Sequence, residues 1–252
     1  MKKFNNIKAI IFDLGETLCT RAINIEKQEE IVAKEVISLL RKKGFPITKQ
    51  FYQKLKNKIW DDWKENVKYS GKEFKLEDFL NHLLAQFNNI APHDRYSLIF
   101  DISKIIYKHD LENITLKPTV IETLQKLQND GYLLGIISNS SYSYDHIIRV
   151  LEKLRIKGFF KAVIVSSHEG IAKPHIQIFR KALSILDVQP EEAIFIGDNP
   201  EVDLPGAKAI GMKMVLIVNN KINIDKTQVD GIIKNIIDIL TFLPESGMKR
   251  GV

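Results

Sequence analysis

The sequence predicts an α/β fold: a doubly wound parallel sheet interrupted by an inserted α-helical domain. Three features predict it. Short, continuous apolar runs recur along the chain, helical patterns separate most of them, and one long stretch breaks that alternation.

The β-rich runs fall at about 8–13, 132–138, 160–166, 193–198 and 213–218. Each is apolar without the in/out alternation of a half-exposed strand, as expected for strands covered on both faces. Between them, 119–129 places Val120, Leu124 and Leu127 on one helical face before Gly131 stops it, and 176–186 repeats the pattern with Phe179, Leu183 and Leu186. In such Rossmann-like sheets the binding crevice lies beyond the carboxyl ends of the strands, where Asp13, Ser138 and Asp198 fall.

From about 20 to 112 no convincing strand occurs. Helical patterns there are separated by Gly44-Phe45-Pro46, Ser70-Gly71 and Ala91-Pro92. Ile31, Val32, Val36, Leu39 and Leu40 mark one apolar stripe, and Leu76, Leu80, Leu83, Leu84 and Phe87 mark another. The expected division is therefore 1–19 with 113–252 as an α/β core and 20–112 as a helical domain. No repeat or low-complexity segment appears, and 245–252 reads as a frayed tail.

With 252 residues, 44% of them hydrophobic, the chain can bury a sizeable core. Its net charge of +6 comes from interspersed charges, and the densest basic run, Arg41-Lys42-Lys43, ends a helical pattern where cations complement the helix dipole. This is a basic surface that tolerates anionic substrates, not a nucleic-acid patch. The single cysteine, Cys19, excludes an intramolecular disulfide, and no Cys/His spacing suggests zinc. No apolar run approaches a membrane span. The expectation is a cytoplasmic protein with neither a nucleic-acid nor a membrane partner; nothing in the sequence fixes its oligomeric state.

Four local patterns carry the chemistry. Ile10-Ile11-Phe12-Asp13-Leu14-Gly15-Glu16-Thr17-Leu18 is a strand leading into an acidic loop; Ile136-Ile137-Ser138-Asn139 ends a strand in a hydroxyl; Ala172-Lys173-Pro174 sets a cation in a stiff turn; Ile196-Gly197-Asp198-Asn199-Pro200-Glu201-Val202-Asp203 is a second acidic loop. Two strand-end carboxylate clusters suggest one metal site, with the hydroxyl and the cation holding an anion beside it.

This order, Asp-x-x-x-Thr, strand-Ser-Asn, Lys-Pro and Gly-Asp-x-x-x-x-Asp, resembles the haloacid dehalogenase (HAD) superfamily from about residue 7 to 218. The commonest members of that family are magnesium-dependent phosphatases with an aspartate nucleophile. The resemblance implies Asp13 as nucleophile and metal ligand, Asp198 and the Gly15 carbonyl as further Mg2+ ligands, and Asp203 as a direct or outer partner of the metal. It also implies Ser138 as a donor to phosphate and Lys173 as the cation neutralising Asp13 and the phosphoryl group. Asp203 also fits a helix N-terminal carboxylate favoured by the dipole. The helical stretch 20–112 is similar to the family's cap domain, which closes over the site and selects substrate.

Thr17 is expected to hydrogen-bond within the loop or to phosphate, Asn139 to bind substrate beside Ser138, and Arg21, where the chain leaves for the cap, to meet a substrate anion or to be an ordinary surface arginine. Trp60 and Trp63 share a helical face and read as cap core or as a stacking pair. His168 and His175 flank the Lys173 motif as loop and helix-terminal residues.

The departure from the family pattern is Gly15, where most of its phosphatases carry the Asp that protonates the leaving oxygen and then activates water. Such acid–base help contributes about 10²–10⁴ in rate. Glu16 offers a carboxylate one residue late, either as a displaced acid–base group or as a flap residue facing solvent or a cap lysine. The expected function is a magnesium-dependent phosphatase of a small phosphorylated metabolite. A HAD-fold binding or regulatory protein with weak or no turnover is the alternative, and a metal-independent haloacid dehalogenase is opposed by Asp198 and Asp203.

Overall fold

A computed structural model describes residues 3–49, 51–53, 55, 72–87, 90–218 and 228–244. Trp60, Trp63, Ser70-Gly71 and the tail 245–252 lie outside the described residues.

Six strands form one parallel sheet: β1 (Ala9–Phe12), β4 (Leu133–Ser138), β5 (Ala162–Val165), β6 (Ala193–Gly197), β7 (Lys213–Ile217) and β8 (Gly231–Ile233), in the spatial order β5-β4-β1-β6-β7-β8. β1 is central, with Phe12 opposite Ile136 on one side and Ile196 on the other. The chain builds outward from β1 to β5, then returns across β1 to β6. That reversal opens a crevice at the carboxyl ends of β1, β4 and β6.

The continuous apolar runs follow from burial on both faces. Along β1, Ile10 and Phe12 enter one core with α4 (Val120–Asn129) and α5 (Tyr144–Lys153), while Ala9 and Ile11 enter the other with α7 (Ile176–Leu186) and α8 (Leu204–Ala209). β6 splits likewise, Ile194 and Ile196 to one side and Ala193 and Phe195 to the other. A period of two is present, but with apolar residues in both phases it leaves no polar alternation to see.

The helical part comprises α1 (Ile25–Lys42), α2 (Leu76–Leu84) and α3 (Pro92–Asn113), with α1 and α2 both packed on α3. Asn24 begins α1 by accepting from the Glu26 N–H at 2.7 Å, and Arg41 and Lys42 occupy its last turn. The stripe expected on α1 is corrected by rotation. Val32, Ala33, Val36, Ile37 and Leu40 are the buried face, whereas Ile31 is exposed and Leu39 half-buried. On α2 the expected Leu76, Leu80, Leu83 and Leu84 are all buried.

Among the described residues the main sheet takes no strand from 20–112. The chain leaves and re-enters instead through a separate antiparallel ribbon, β2 (Cys19–Arg21) with β3 (Ile114–Leu116), Thr20 opposite Thr115. Neither ribbon strand nor β8 was legible in the sequence, because three residues are too few to display a period. A short helix, α6 (Ser166–Glu169), follows β5 and leads to the Lys173 turn.

Candidate active site

The crevice holds a cavity of about 530 Å³ whose walls include Asp13, Gly15, Glu16, Arg21, Ser138, Asn139, Lys173, Asp198 and Asp203. All four motifs therefore converge on one space. Asp13 follows β1 directly, and its backbone N–H donates to the Ile196 carbonyl at 2.8 Å, continuing the ladder to β6. Its carboxylate is thereby aimed beyond the sheet, next to the residues that follow β6.

Lys173 is the centre of the charge arrangement. Its side chain is almost wholly buried, with Nζ 2.6 Å from Asp13 Oδ1 and 2.7 Å from Asp203 Oδ1, and over the Phe195 ring at 5.2 Å. Burial alone would push the ammonium toward neutrality, but Asp13 and then Asp203 hold its pKa above the ordinary lysine value. It is a fixed positive charge.

Asn139 fastens the Lys173 turn. Its Nδ2 donates to the Lys173 carbonyl at 2.9 Å and its Oδ1 accepts from the Lys173 N–H at 2.8 Å. Both ends of the amide are engaged with the main chain, so the geometry makes Asn139 a positioning residue for Lys173 where the sequence suggested a substrate contact. Ser138, the last residue of β4, is buried in the cavity wall beside it.

Asp203 is fully buried at the start of α8, where Oδ1 meets Lys173 and Oδ2 accepts from the Asn199 N–H at 3.0 Å. With both oxygens engaged, it is placed to orient Lys173 and the Asp198 loop. The glycine of this motif has a specific reason. A Cβ at Gly197 would lie 2.1 Å from Asp203 Oδ2, so only glycine lets the buried carboxylate close against the strand end.

Asp198 is half-buried, and its pKa is pushed up to about 7, by burial first and then by the charges of Asp13 and Asp203. Three carboxylates thus face one ammonium. Hard oxygen donors with excess negative charge fit a divalent cation such as Mg2+. Among the described residues no group of three or more His, Cys, Asp or Glu side chains is arranged to hold a metal ion by itself.

The nucleophile loop departs from expectation in two places. Thr17 is fully buried off the cavity wall, and its Oγ1 has no hydrogen-bond partner among the described residues, so the structure does not bring it to substrate. Glu16 sits in the left-handed region at φ +54, and its carboxylate accepts from Thr20 Oγ1 at 2.8 and 3.0 Å, with Lys117 Nζ 3.9 Å away. The lysine is therefore not one of the expected cap 20–112, and the carboxylate is turned to the ribbon. At Gly15, an added Cβ would meet nothing within 4 Å.

Arg21 does line the cavity, with its guanidinium 3.3 Å from Asp110 on α3. Asp110 and Tyr142, also in the wall, were missed by sequence reasoning; Asp110 lies within an ordinary-looking helix, and no local pattern announces it. His175 begins α7, its Nδ1 accepting from the Gln177 N–H, and His168 lies on α6 with its ring 5.2 Å from that of Tyr144; neither is in the cavity wall. Burial, then Asp13 and Asp110, push the Cys19 thiol far above its ordinary value, so it is no nucleophile.

A sequence model of the haloacid dehalogenase-like hydrolases matches residues 7–211. The chain belongs to that family. This HAD-family hydrolase is 32% identical over 213 residues to glyceraldehyde 3-phosphate phosphatase of Pyrococcus furiosus, covering 83% of this chain and 80% of that one. It is 29% identical over 188 residues to pyrophosphatase PpaX of Bacillus mycoides, covering 69% and 83% respectively. Among solved structures, 2-haloacid dehalogenase from Pseudomonas syringae pv. Tomato superposes with a TM-score of 0.72 at 19% identity, covering 94% of this chain and 97% of that one. A HAD phosphatase from Thermococcus onnurineus does so with 0.63 at 22%, covering 97% and 100%. At those identities the likeness is one of fold, the Rossmann-like HAD fold. No helix among the described residues is long and apolar enough to cross a membrane.

Proposed function

We propose that this hydrolase is a Mg2+-dependent phosphatase of a small phosphorylated metabolite, working through a phosphoaspartate on Asp13. The observation that carries the reading is Lys173 held between Asp13 and Asp203 beside Asp198, in a cavity of metabolite size. The relatives named as phosphatases of glyceraldehyde 3-phosphate and of pyrophosphate support the substrate class.

In this reading Asp13, Asp198 and the Gly15 carbonyl hold the cation, which when bound offsets the charge of the carboxylates and of the phosphoryl oxygens. An Asp13 carboxylate oxygen attacks phosphorus as the bond to the leaving oxygen breaks. Water then attacks the aspartyl phosphate, the phosphorus–Asp13 bond breaks, and inorganic phosphate leaves with the carboxylate restored. Lys173 and Ser138 stabilise the phosphoryl group as charge redistributes. The helical segment 20–112 acts as the cap.

Proton transfer is the weak step. Gly15 carries no acid, and Glu16 is turned to Thr20, so the leaving oxygen takes its proton from solvent or from substrate. Substrates with acidic leaving groups suit such a site. The same two residues favour the second reading, a HAD-fold binding protein with weak or no turnover.

The test is hydrolysis of aryl, acyl and alkyl phosphates by the purified protein with Mg2+ and with chelator. Mg2+-stimulated release from aryl and acyl phosphates, abolished in Asp13→Asn, is expected. No release from any of them favours the binding reading.

A further inference from the structure

The cavity has two kinds of wall. The charged one, with Asp13, Ser138, Lys173 and Asp198, serves the phosphoryl group. Away from it, Ile25 of α1, Ile114 of the ribbon, Tyr142, and Ile147 and Val150 of α5 line the same space. Four of these five are buried parts of the core, but Ile25, the first residue of α1, keeps 40% of its surface exposed. Of the exposed large apolar residues described, it alone lies in this wall.

The polar side chains on this side are turned to each other. Arg21 is ion-paired with Asp110 at 3.3 Å, and the other Asp110 oxygen lies 2.8 Å from His146 Nε2. Thr20 Oγ1 donates to the Glu16 carboxylate, and Ser140 Oγ accepts from the Tyr142 N–H at 3.2 Å. These groups are met within the protein, so a leaving group rich in hydroxyls or charge gives up water for partners already engaged. An apolar leaving group gives up no hydrogen bond and gains about 25 cal/mol for each Å² it buries.

The nucleophile loop selects in the same direction. Gly15 supplies no acid and Glu16 is turned to Thr20, so the oxygen that leaves must be stable as an anion. A phenol or an aromatic acid meets both conditions, since its oxyanion is delocalised and its ring is apolar. We propose that this site takes phosphoryl compounds with an aromatic leaving group, whose ring packs on Ile25 and the apolar wall. The proposal rests on the phosphatase reading and names its substrate class. As an Asp13 oxygen bonds to phosphorus, the bond from phosphorus to the leaving oxygen breaks and its electron pair stays on that oxygen. The phenolate or carboxylate takes any proton from water afterwards.

The measurement is kcat/KM, with Mg2+, for benzoyl phosphate against acetyl phosphate. Their leaving carboxylates are of similar acidity, so the ratio reads a phenyl ring against a methyl group. The wild type is expected to prefer benzoyl phosphate by about 10-fold or more, the effect of moving a ring from water to an apolar wall. Ile25→Asn should lower that preference by about threefold or more, and Ile25→Leu should keep it. The exposure of Ile25 makes both substitutions compatible with the fold. A ratio near one in the wild type, or the same ratio in Ile25→Asn, overturns the proposal and leaves the phosphatase reading standing. Should neither compound be hydrolysed, the phosphatase reading fails, and calorimetric titration with phenylphosphonate and methylphosphonate decides the wall by itself. Tighter binding of phenylphosphonate, weakened in Ile25→Asn, sustains the apolar site; equal binding, or none, ends it.

Discussion

The two ends of the cavity differ in how they are assembled. At the sheet end, Asp13 and Asp198 directly follow β1 and β6, Ser138 closes β4, and Asn139 ties the Lys173 turn to that strand. Their relative places are set by parallel pairing of adjacent strands, a geometry the backbone ladder imposes before any side chain is chosen. At the far wall, Arg21, Asp110 and His146 meet from a ribbon strand and two helices, across sequence separations of 89 and 36 residues. Only side-chain packing sets that meeting. The sheet end is therefore set by backbone pairing, while the far wall is set by side-chain packing between separate elements.

If that contrast is right, the largest effect of a substitution should come from the charge cluster at the sheet end. Lys173→Met leaves Asp13 and Asp203 facing each other without their buried cation. Breaking a buried pair in this way costs about 3–5 kcal/mol. Chemical denaturation of the metal-free protein should report a loss of that size and Mg2+ should recover part of it. A loss below about 1 kcal/mol would mean that the cluster is not the electrostatic keystone described above.

Next in size is the nucleophile loop. Because a side chain at Gly15 meets open space, Gly15→Asp should raise turnover of alkyl phosphates by about 10²-fold or more while changing aryl phosphates little. Glu16→Gln should stay within about threefold of wild type on both, since that carboxylate is engaged by Thr20. Loss of turnover in Glu16→Gln, with metal binding intact, would make Glu16 the acid–base group and the Thr20 contact incidental.

Smaller again is a pH effect confined to the sheet end. Asp198 is raised from an ordinary 3.8 to about 7. Its native form thus keeps a proton that the unfolded chain releases near pH 4. The stability this contributes is full below about pH 4 and is lost as pH rises toward about 7. Glu35, Glu192 and Asp230, whose pKa values are lowered, act in the opposite sense and only at lower pH. Asp203, raised to about 6 by burial, acts in the same sense as Asp198, so melting of the metal-free protein should fall with pH from 4 to 8 and Asp198→Asn should flatten that fall in part. Saturating Mg2+, which favours the ionised carboxylate, should diminish the fall between pH 4 and 7. A profile identical in wild type and Asp198→Asn would show that Asp198 is not in the crowded environment inferred for it.

The contrast also accounts for what the sequence disclosed. The five longer strands and α7 were legible because doubly buried strands and an amphipathic helix leave continuous local signals, and the four motifs because each chemical group sits at a strand end or a stiff turn. The ribbon and β8 were not, at three residues each. Asp110 was not, because one acidic residue within a 22-residue helix has no mark that distinguishes it until β2 is folded against it. Asn139 and Thr17 illustrate a different limit. Residue type and position put both in the site, but only coordinates show that one clasps the Lys173 main chain and the other lies behind the loop. The rotation of the buried face of α1 away from Ile31 belongs to the same class, since an 18-residue helix with several apolar residues supports more than one stripe until its neighbour α3 selects one.

The most direct test of the central claim is chemical trapping of the intermediate. The wild-type protein is mixed with an acyl phosphate and Mg2+, quenched rapidly in acid, and its peptides mapped by mass spectrometry. Phosphate is expected on Asp13, with none in Asp13→Asn and none when Mg2+ is chelated. Steady Mg2+-dependent hydrolysis with no phosphorylated peptide at any quench time, or with phosphate on a residue other than Asp13, would contradict the account.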